Sequence, residues 1–211
     1  MNAQTERFTI EGPAGVLEVA RDLAGAPDGI VRGTALIAHP HPLFGGTMDN
    51  KVVQTMARAF VASGWNTLRF NFRGIGQSAG AYDEGRGECE DFLAVALQLA
   101  PQGPLALAGF SFGSFVMSHA LAQLWGVRQI EKIVFVGAAA SRFSVATVPP
   151  EAHGRTLVVH GEADDTVPLA AVMDWARPQI LPVTVVPGGG HFFHGQLPLL
   201  KGLVMRHLSA T

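Results

Sequence analysis

A serine between two glycines is the residue of this sequence best suited to nucleophilic chemistry. Ser111 is the centre of Gly109-Phe110-Ser111-Phe112-Gly113, which follows the apolar run 105–108 and precedes a helical segment. A turn that tight between a strand and a helix strains its central residue and lifts the side chain clear of the sheet. Because the chain holds 25 glycines, the pattern alone is weak, and a serine that merely caps a helix is the alternative. The position between strand and helix favours a nucleophile.

A serine hydroxyl needs a base to take its proton, and that base is usually a histidine held by a carboxylate. On a strand–turn–helix scaffold of this kind, the acid and then the histidine follow later strands. Three acids, Glu162, Asp164 and Asp165, follow the apolar run 156–159. His191 comes after three glycines that allow a loop to return toward the serine. We predict His191 as the base.

Two neighbouring residues are given other roles. His194 lies three residues beyond His191, and we expect it in the first turn of the closing helix, as a structural or substrate-side residue. Asp165 is expected to cap the helix that follows it.

The elements that must position these residues alternate regularly between short apolar runs and amphipathic segments. The strands are predicted at 8–10, 16–20, 35–38, 65–71, 105–108, 133–136, 156–159 and 183–186. The helices are predicted at 50–63, 88–100, 112–124, 169–177 and 195–208. This order predicts an α/β fold with a mostly parallel eight-stranded sheet, helices on both faces and an antiparallel first pair. Ligands of such sheets bind beyond the carboxyl ends of the strands.

Composition excludes several classes of protein. The 211 residues suit a single domain, 1–211, and the connection 138–155 is too short for a second domain. With 48 % hydrophobic and 15 % charged residues the chain is not disordered, and a formal charge of -2 implies no nucleic-acid partner. No run of about 20 apolar residues is present, so we expect no membrane association and a cytoplasmic location.

Cofactors and metals are not expected. Gly74-x-Gly76 lacks the third glycine of a dinucleotide fingerprint. The pair His39 and His41 has no carboxylate or cysteine at ligand spacing, which makes a metal site the weaker interpretation. The single cysteine, Cys89, lies between two glutamates that raise its pKa, so it is a poor nucleophile.

Together these motifs resemble the α/β-hydrolase superfamily, in particular its small cap-less esterases and dienelactone-hydrolase-like members. The resemblance covers nearly the whole chain. It rests on the turn at Ser111, the H-G-x-x-D-x-x-V-P run from His160 to Pro168, the glycine-rich loop before His191, and the R-G-x-G-x-S turn from Arg73 to Ser78. It implies that Asp164 is the acid of a Ser-His-Asp triad.

The resemblance also implies an oxyanion hole. Its first donor is the backbone N–H of Phe112, and His41 stands at the family position of the second, with Leu43 as the alternative. Here the sequence departs from the family pattern, because Pro40 replaces a glycine and has no N–H. For Arg73, a buried ion pair or carbonyl contacts that hold its turn are favoured, and contact with a substrate carboxylate is the alternative.

The expected function is that of a cofactor-independent serine hydrolase that cleaves an ester or related acyl bond of a small molecule. The hydrophobic loop residues Leu43, Phe44 and Phe192 are the candidates for substrate contact. A thioesterase or peptidase on the same site, or a hydrolase-fold protein that binds without turnover, are the alternatives.

Overall fold

The computed structural model describes residues 5–25 and 28–210. Within these ranges eight strands form one sheet, in the order β1-β2-β4-β3-β5-β6-β7-β8. The strands are β1 Glu6–Gly12, β2 Gly15–Asp22, β3 Gly33–Ala38, β4 Trp65–Phe70, β5 Leu105–Phe110, β6 Ile130–Val136, β7 Thr156–Gly161 and β8 Thr184–Val186. β2 is antiparallel to β1 and to β4, and every other pairing is parallel. The predicted mostly parallel sheet with an antiparallel opening pair is confirmed.

Helices cover both faces of the sheet, as predicted. They are α1 Lys51–Ala62, α2 Arg86–Leu99, α3 Phe112–Leu124, α4 Leu169–Ala176 and α5 Leu197–Ser209. One hydrophobic cluster lies between the sheet and α2, α3 and α4, and a second lies between the sheet and α1 and α5. The central strand β5 is buried at every residue, which is why its sequence is a continuous apolar run.

Helix α1 shows how local sequence sets an element. Asn50 precedes it, and the Asn50 side chain accepts a hydrogen bond from the N–H of Val52 at 2.9 Å. The apolar positions at helical spacing turn toward the sheet, with Met56 and Phe60 fully buried among them.

Two expectations about helix starts are wrong. Asp165 does not cap α4, because Pro168 is the residue before the helix and proline disfavours helical backbone in the residue that precedes it. His194 lies in a turn before α5 rather than within the helix, because Gly195 is left-handed, with φ 75°, and the helix starts only at Leu197. Strand β5 also extends two residues beyond the predicted Ala108.

The connection after β6 contains a 3₁₀ helix, Pro150–Arg155. No helix in the described part of the chain combines the length and the apolar character that crossing a membrane requires.

Candidate active site

Ser111 occupies a strained turn at the carboxyl end of β5. Its backbone has φ 55° and ψ −119°, a conformation that non-glycine residues rarely adopt. Its N–H donates to the carbonyl of Val136 at 2.9 Å, which ties the turn to the neighbouring strand. A residue held in this way stores about 1–3 kcal/mol of strain, a cost found mostly at functional sites.

The glycines of the turn are required by close backbone approach. A Cβ added to Gly109 would lie 2.5 Å from the carbonyl oxygen of Gly113, and one added to Gly113 would lie 2.4 Å from that of Ala38. Both distances are far below van der Waals contact. The pattern around Ser111 is therefore the packing requirement of a helix that begins directly against the sheet.

Three side chains from three strand ends form a hydrogen-bonded line. The Ser111 hydroxyl lies 3.0 Å from Nε2 of His191, and Nδ1 of His191 lies 2.7 Å from Oδ2 of Asp164. All three residues are buried. In this arrangement Nδ1–H of His191 donates to the carboxylate, which leaves Nε2 free to accept the proton of the hydroxyl. The structure thus brings together the three residues that the sequence indicated.

Asp164 is held as a carboxylate. Its other oxygen, Oδ1, accepts hydrogen bonds from the N–H groups of Val167 at 2.7 Å and Thr166 at 3.0 Å. Burial opposes the charge, but the hydrogen bonds from His191 and Val167 outweigh it, so the pKa of Asp164 lies below its ordinary value. An ionised acid at this position holds the imidazole in one tautomer.

The alternative acids and base lie elsewhere. Glu162 accepts a hydrogen bond from the N–H of Gly188 at 2.9 Å, and Asp165 accepts one from the hydroxyl of Thr166 at 3.3 Å. His194 lies near Phe192, with ring centroids 5.9 Å apart, and the histidine hydrogen-bonded to Ser111 is His191.

The loop after β3 is anchored by a buried histidine. Nε2 of His39 accepts from the N–H of Phe72 at 3.0 Å, so the proton is on Nδ1, which donates to the carbonyl of Pro40 at 2.6 Å. Burial lowers the pKa of His39 to about 4, and the ring is neutral near pH 7. Because no cis peptide occurs among the described residues, the N–H of His41 points opposite to the Pro40 carbonyl, away from the His39 ring.

The side chain of His41 is surrounded by aromatic rings. Its ring centroid lies 4.7 Å from that of Phe112, 4.8 Å from that of Phe44 and 4.9 Å from that of Tyr82. Nδ1 of His41 accepts a hydrogen bond from the N–H of Leu43 at 3.2 Å. The N–H of Leu43 is therefore already engaged within the loop.

A cavity of about 280 Å³ opens onto Ser111 and His191. Its lining comprises Pro40, His41, Phe44, Gly45, Gly46, Asn50, Ser111, Phe112, Ala139, Arg142, Phe143, Thr166, Val167, His191 and Phe192. Phe44 and Phe192, two of the residues predicted to contact substrate, are part of this lining. Leu43 does not line the cavity, because it turns outward and is 65 % exposed.

Sequence reasoning missed the contribution of the loop after β6. Ala139, Arg142 and Phe143 line the cavity from there. Only the position of this loop could have indicated its role. It follows the carboxyl end of a parallel strand, where ligands of such sheets bind. Its residues form no motif that distinguishes them from an ordinary connection.

Two residues weighed from the sequence have structural roles. Arg73 forms a buried ion pair with Asp91, with Nη2 2.8 Å from Oδ1 and Nε 3.1 Å from Oδ2, as the favoured interpretation predicted. Burial, and then the charge of Glu90, raise the pKa of Cys89 to about 11, so the thiol stays protonated near pH 7. The described residues hold no group of three or more His, Cys, Asp and Glu side chains arranged to bind a metal ion.

Comparison with known proteins agrees with this architecture. The sequence model of the α/β-hydrolase fold matches residues 42–155. One similar crystal structure is that of a Xanthomonas campestris protein described as an α/β serine hydrolase without a lid. Its sequence is 37 % identical to this chain, and the match covers 100 % of this chain and 98 % of that chain with a TM-score of 0.87. An α/β serine hydrolase homologue from Coxiella burnetii is 38 % identical, with 97 % of each chain covered and a TM-score of 0.82.

A curated Rickettsia prowazekii protein, named as uncharacterised, is 40 % identical over 109 residues. The matched segment is 50 % of this chain and 44 % of the relative. The chain therefore spans less than half of the length of that curated relative. The chain belongs to the α/β-hydrolase fold family, and its likeness to serine hydrolases supports hydrolase activity.

Proposed function

We propose that this protein is a serine hydrolase that cleaves carboxylic esters of small molecules through an acyl-enzyme intermediate. Ser111 is the nucleophile, His191 the general base and Asp164 the carboxylate that orients His191. The observation that carries the proposal is the line of hydrogen bonds from Ser111 through His191 to Asp164, at 3.0 and 2.7 Å, open to a cavity. It has the geometry of nucleophile, base and orienting acid.

The proposed reaction has two halves. Nε2 of His191 takes the proton of Ser111 as Oγ attacks the ester carbonyl, and His191 returns that proton to the departing alcohol. Water then attacks the acyl-enzyme with its proton passing to His191, and Ser111 regains a proton as the carboxylic acid leaves. The low pKa of Asp164 favours this cycle, since an ionised carboxylate stabilises the imidazolium formed in each half.

The oxyanion would be bound by the N–H groups of Phe112 and His41. Phe112 is the first residue of α3, where helical N–H groups have no partner within the helix and the helix dipole is positive. The hydrogen bond from His39 to the Pro40 carbonyl turns the N–H of His41 in the opposite direction. Leu43 is the weaker candidate, because its N–H already donates to His41.

The substrate is expected to be small. A cavity of about 280 Å³ lies just below the usual range of about 300–1,000 Å³ for ligand sites. The aromatic side chains of Phe44, Phe143 and Phe192 favour an apolar chain next to the scissile bond.

Replacement of the nucleophile tests the proposal. Ser111→Ala is expected to lower kcat on short-chain esters by about 10⁴- to 10⁶-fold, with an unchanged circular dichroism spectrum. Ser141→Ala, an exposed serine outside the cavity lining, is the matched control and should retain wild-type kcat. Near-normal kcat in Ser111→Ala would assign the nucleophile to another residue.

Labelling with a fluorophosphonate separates an enzyme from a protein that only binds. The wild type and Ser141→Ala should be labelled, and Ser111→Ala should not. A panel of matched esters, thioesters and aminoacyl amides then tests the bond type. A higher kcat/KM for thioesters or amides than for esters would replace the ester proposal while keeping the same machinery.

A further inference from the structure

Arg142 contributes the only full charge to the surface of the cavity among the described residues. The other lining residues are apolar, uncharged polar or histidine, and no aspartate or glutamate is present. Asp164 lies beneath His191, with its side chain fully buried. A substrate in this cavity therefore meets one cationic group and no competing carboxylate.

The guanidinium of Arg142 is available for a ligand. Within residues 5–25 and 28–210 it forms no ion pair and no side-chain hydrogen bond, whereas most of the arginines there are paired with an acid. Arg142 is solvent-exposed as well as cavity-lining, so it lies at the mouth rather than the floor.

The backbone around Arg142 is held in place. Its N–H donates to the carbonyl of Ala139 at 3.1 Å, and the N–H of Phe143 donates to the same carbonyl at 3.1 Å. The ring of Phe143 stacks on Phe115 with centroids 4.9 Å apart and meets Phe112 edge-on at 5.1 Å. A long side chain on an anchored turn loses less freedom when it binds a ligand than one on a mobile loop.

We infer that Arg142 selects acyl substrates that carry a carboxylate at the end remote from the scissile bond. This inference rests on the proposed function and names its substrate class, an ester of a short dicarboxylic acid or an equivalent anionic acyl group. The ester carbonyl lies against Ser111, the methylene chain contacts the aromatic walls, and the carboxylate pairs with the guanidinium at the cavity mouth. Guanidinium and carboxylate match in two parallel hydrogen bonds.

His41, which also lines the cavity, does not act as a second cation for the substrate carboxylate. Burial, and then the charge of Arg142, lower the pKa of His41, so its ring is neutral near pH 7.

The experiment compares monoethyl adipate with ethyl adipamate, in which a neutral carboxamide replaces the carboxylate. Ethanol release gives kcat/KM for each ester. The wild type is expected to favour the anionic ester by about tenfold, the effect of one charge-assisted hydrogen-bonded contact that is partly screened by water. Arg142→Gln should bring the ratio close to one, and Arg142→Lys should retain part of the preference.

The control and a binding measurement make the outcome decisive. Arg86→Gln removes an exposed arginine paired with Asp83 outside the cavity, and should leave the ratio unchanged. Calorimetric binding of the same two compounds to Ser111→Ala and to Ser111→Ala/Arg142→Gln reports the preference without turnover. Equal affinity for both compounds in Ser111→Ala, or an unchanged preference after Arg142→Gln, would overturn the inference. Absence of hydrolysis of both esters by the wild type, with the binding preference intact, would overturn the proposed function alone.

Discussion

Two arginines at the same edge of the sheet have opposite surroundings. Arg73 follows β4 and is buried, and its backbone N–H and guanidinium donate three hydrogen bonds to the fully buried carboxylate of Asp91. Arg142 follows β6, is exposed, and has no acidic partner among the described residues. The first charge is neutralised inside the fold, and the second faces the cavity that contains Ser111.

Residue type and position at the sheet edge therefore do not by themselves identify a ligand contact. Both arginines satisfy the rule that ligands bind beyond the carboxyl ends of parallel strands. They differ in burial and in acidic partners, because Arg73 is paired with Asp91 and Glu90 of α2, whereas Arg142 is exposed and has no acidic partner among the described residues. A residue left without a partner at the same edge is the better candidate for binding a substrate.

The largest effect is expected from breaking the buried pair. Arg73→Met should lower the free energy of unfolding by about 3–5 kcal/mol, because it leaves the Asp91 carboxylate buried without a counter-charge. Urea denaturation of the wild type and the variant measures this loss. Arg86→Gln is the exposed control and should change the free energy by less than about 0.5 kcal/mol.

The double variant Arg73→Met/Asp91→Asn separates charge from hydrogen bonding. Removal of both charges should recover much of the loss, because the uncharged amide oxygen introduced at position 91 still accepts from the backbone N–H of residue 73 and the cost of a buried, unpaired charge is gone. An Arg73→Met protein as stable as the wild type would show that Arg73 is no more structural than Arg142.

A second effect concerns a buried group at the same edge, His39. Its pKa is about 4 when folded and near 6.5 when unfolded, so between these pH values the unfolded chain binds the additional proton. Stability should therefore rise as pH increases from about 4 to 6.5 and level off above, with a contribution of about 3 kcal/mol from this residue. Urea denaturation from pH 4.5 to 7.5 measures the slope.

His39→Gln is the comparison variant for this slope, because it removes the titrating group and keeps a polar side chain. Its slope in this window should be shallower than that of the wild type. Equal slopes would mean that another group, such as His207 with its pKa lowered to about 4 mainly by burial, carries the pH dependence.

The smallest effect is expected from Arg142 itself. Arg142→Gln should change the free energy of unfolding by less than about 0.5 kcal/mol, because the exposed guanidinium has no partner to lose among the described residues. The same urea titration measures it beside Arg73→Met. A loss above about 2 kcal/mol would place Arg142 with Arg73 as a structural residue.

Much of the fold was predictable from local sequence. Buried parallel strands appear as continuous apolar runs such as 105–108, and capping residues such as Asn50 mark helix starts. The errors occurred where backbone rules acted between elements, at Pro168 before α4 and at Gly195 before α5. Pro168 keeps the residue before it out of helical backbone, so Asp165 cannot cap α4 although the helix starts at the predicted Leu169. Gly195 adopts a left-handed conformation that other residues rarely reach, and α5 starts two residues later than predicted.

The site residues that could be predicted from the sequence are those that occur in recognisable catalytic motifs. Ser111, Asp164 and His191 occur in short patterns that follow strands, and the structure brings their side chains together. Arg142 and Phe143 lie in a connection without a motif, and their relation to the cavity depends on how that connection packs against α3. Leu43 shows the converse, since a loop position next to the site did not determine the direction of its side chain.

The strained turn at Ser111 limits which substitutions this protein can accept as it evolves. The turn is confined by the packing of α3 against β3 and β5, so substitutions there disturb the interior of the protein. The walls of the cavity come instead from surface connections, which tolerate replacement. Substrate range should therefore diversify by exchange of loop residues, while the position of the reactive hydroxyl is inherited unchanged with the sheet.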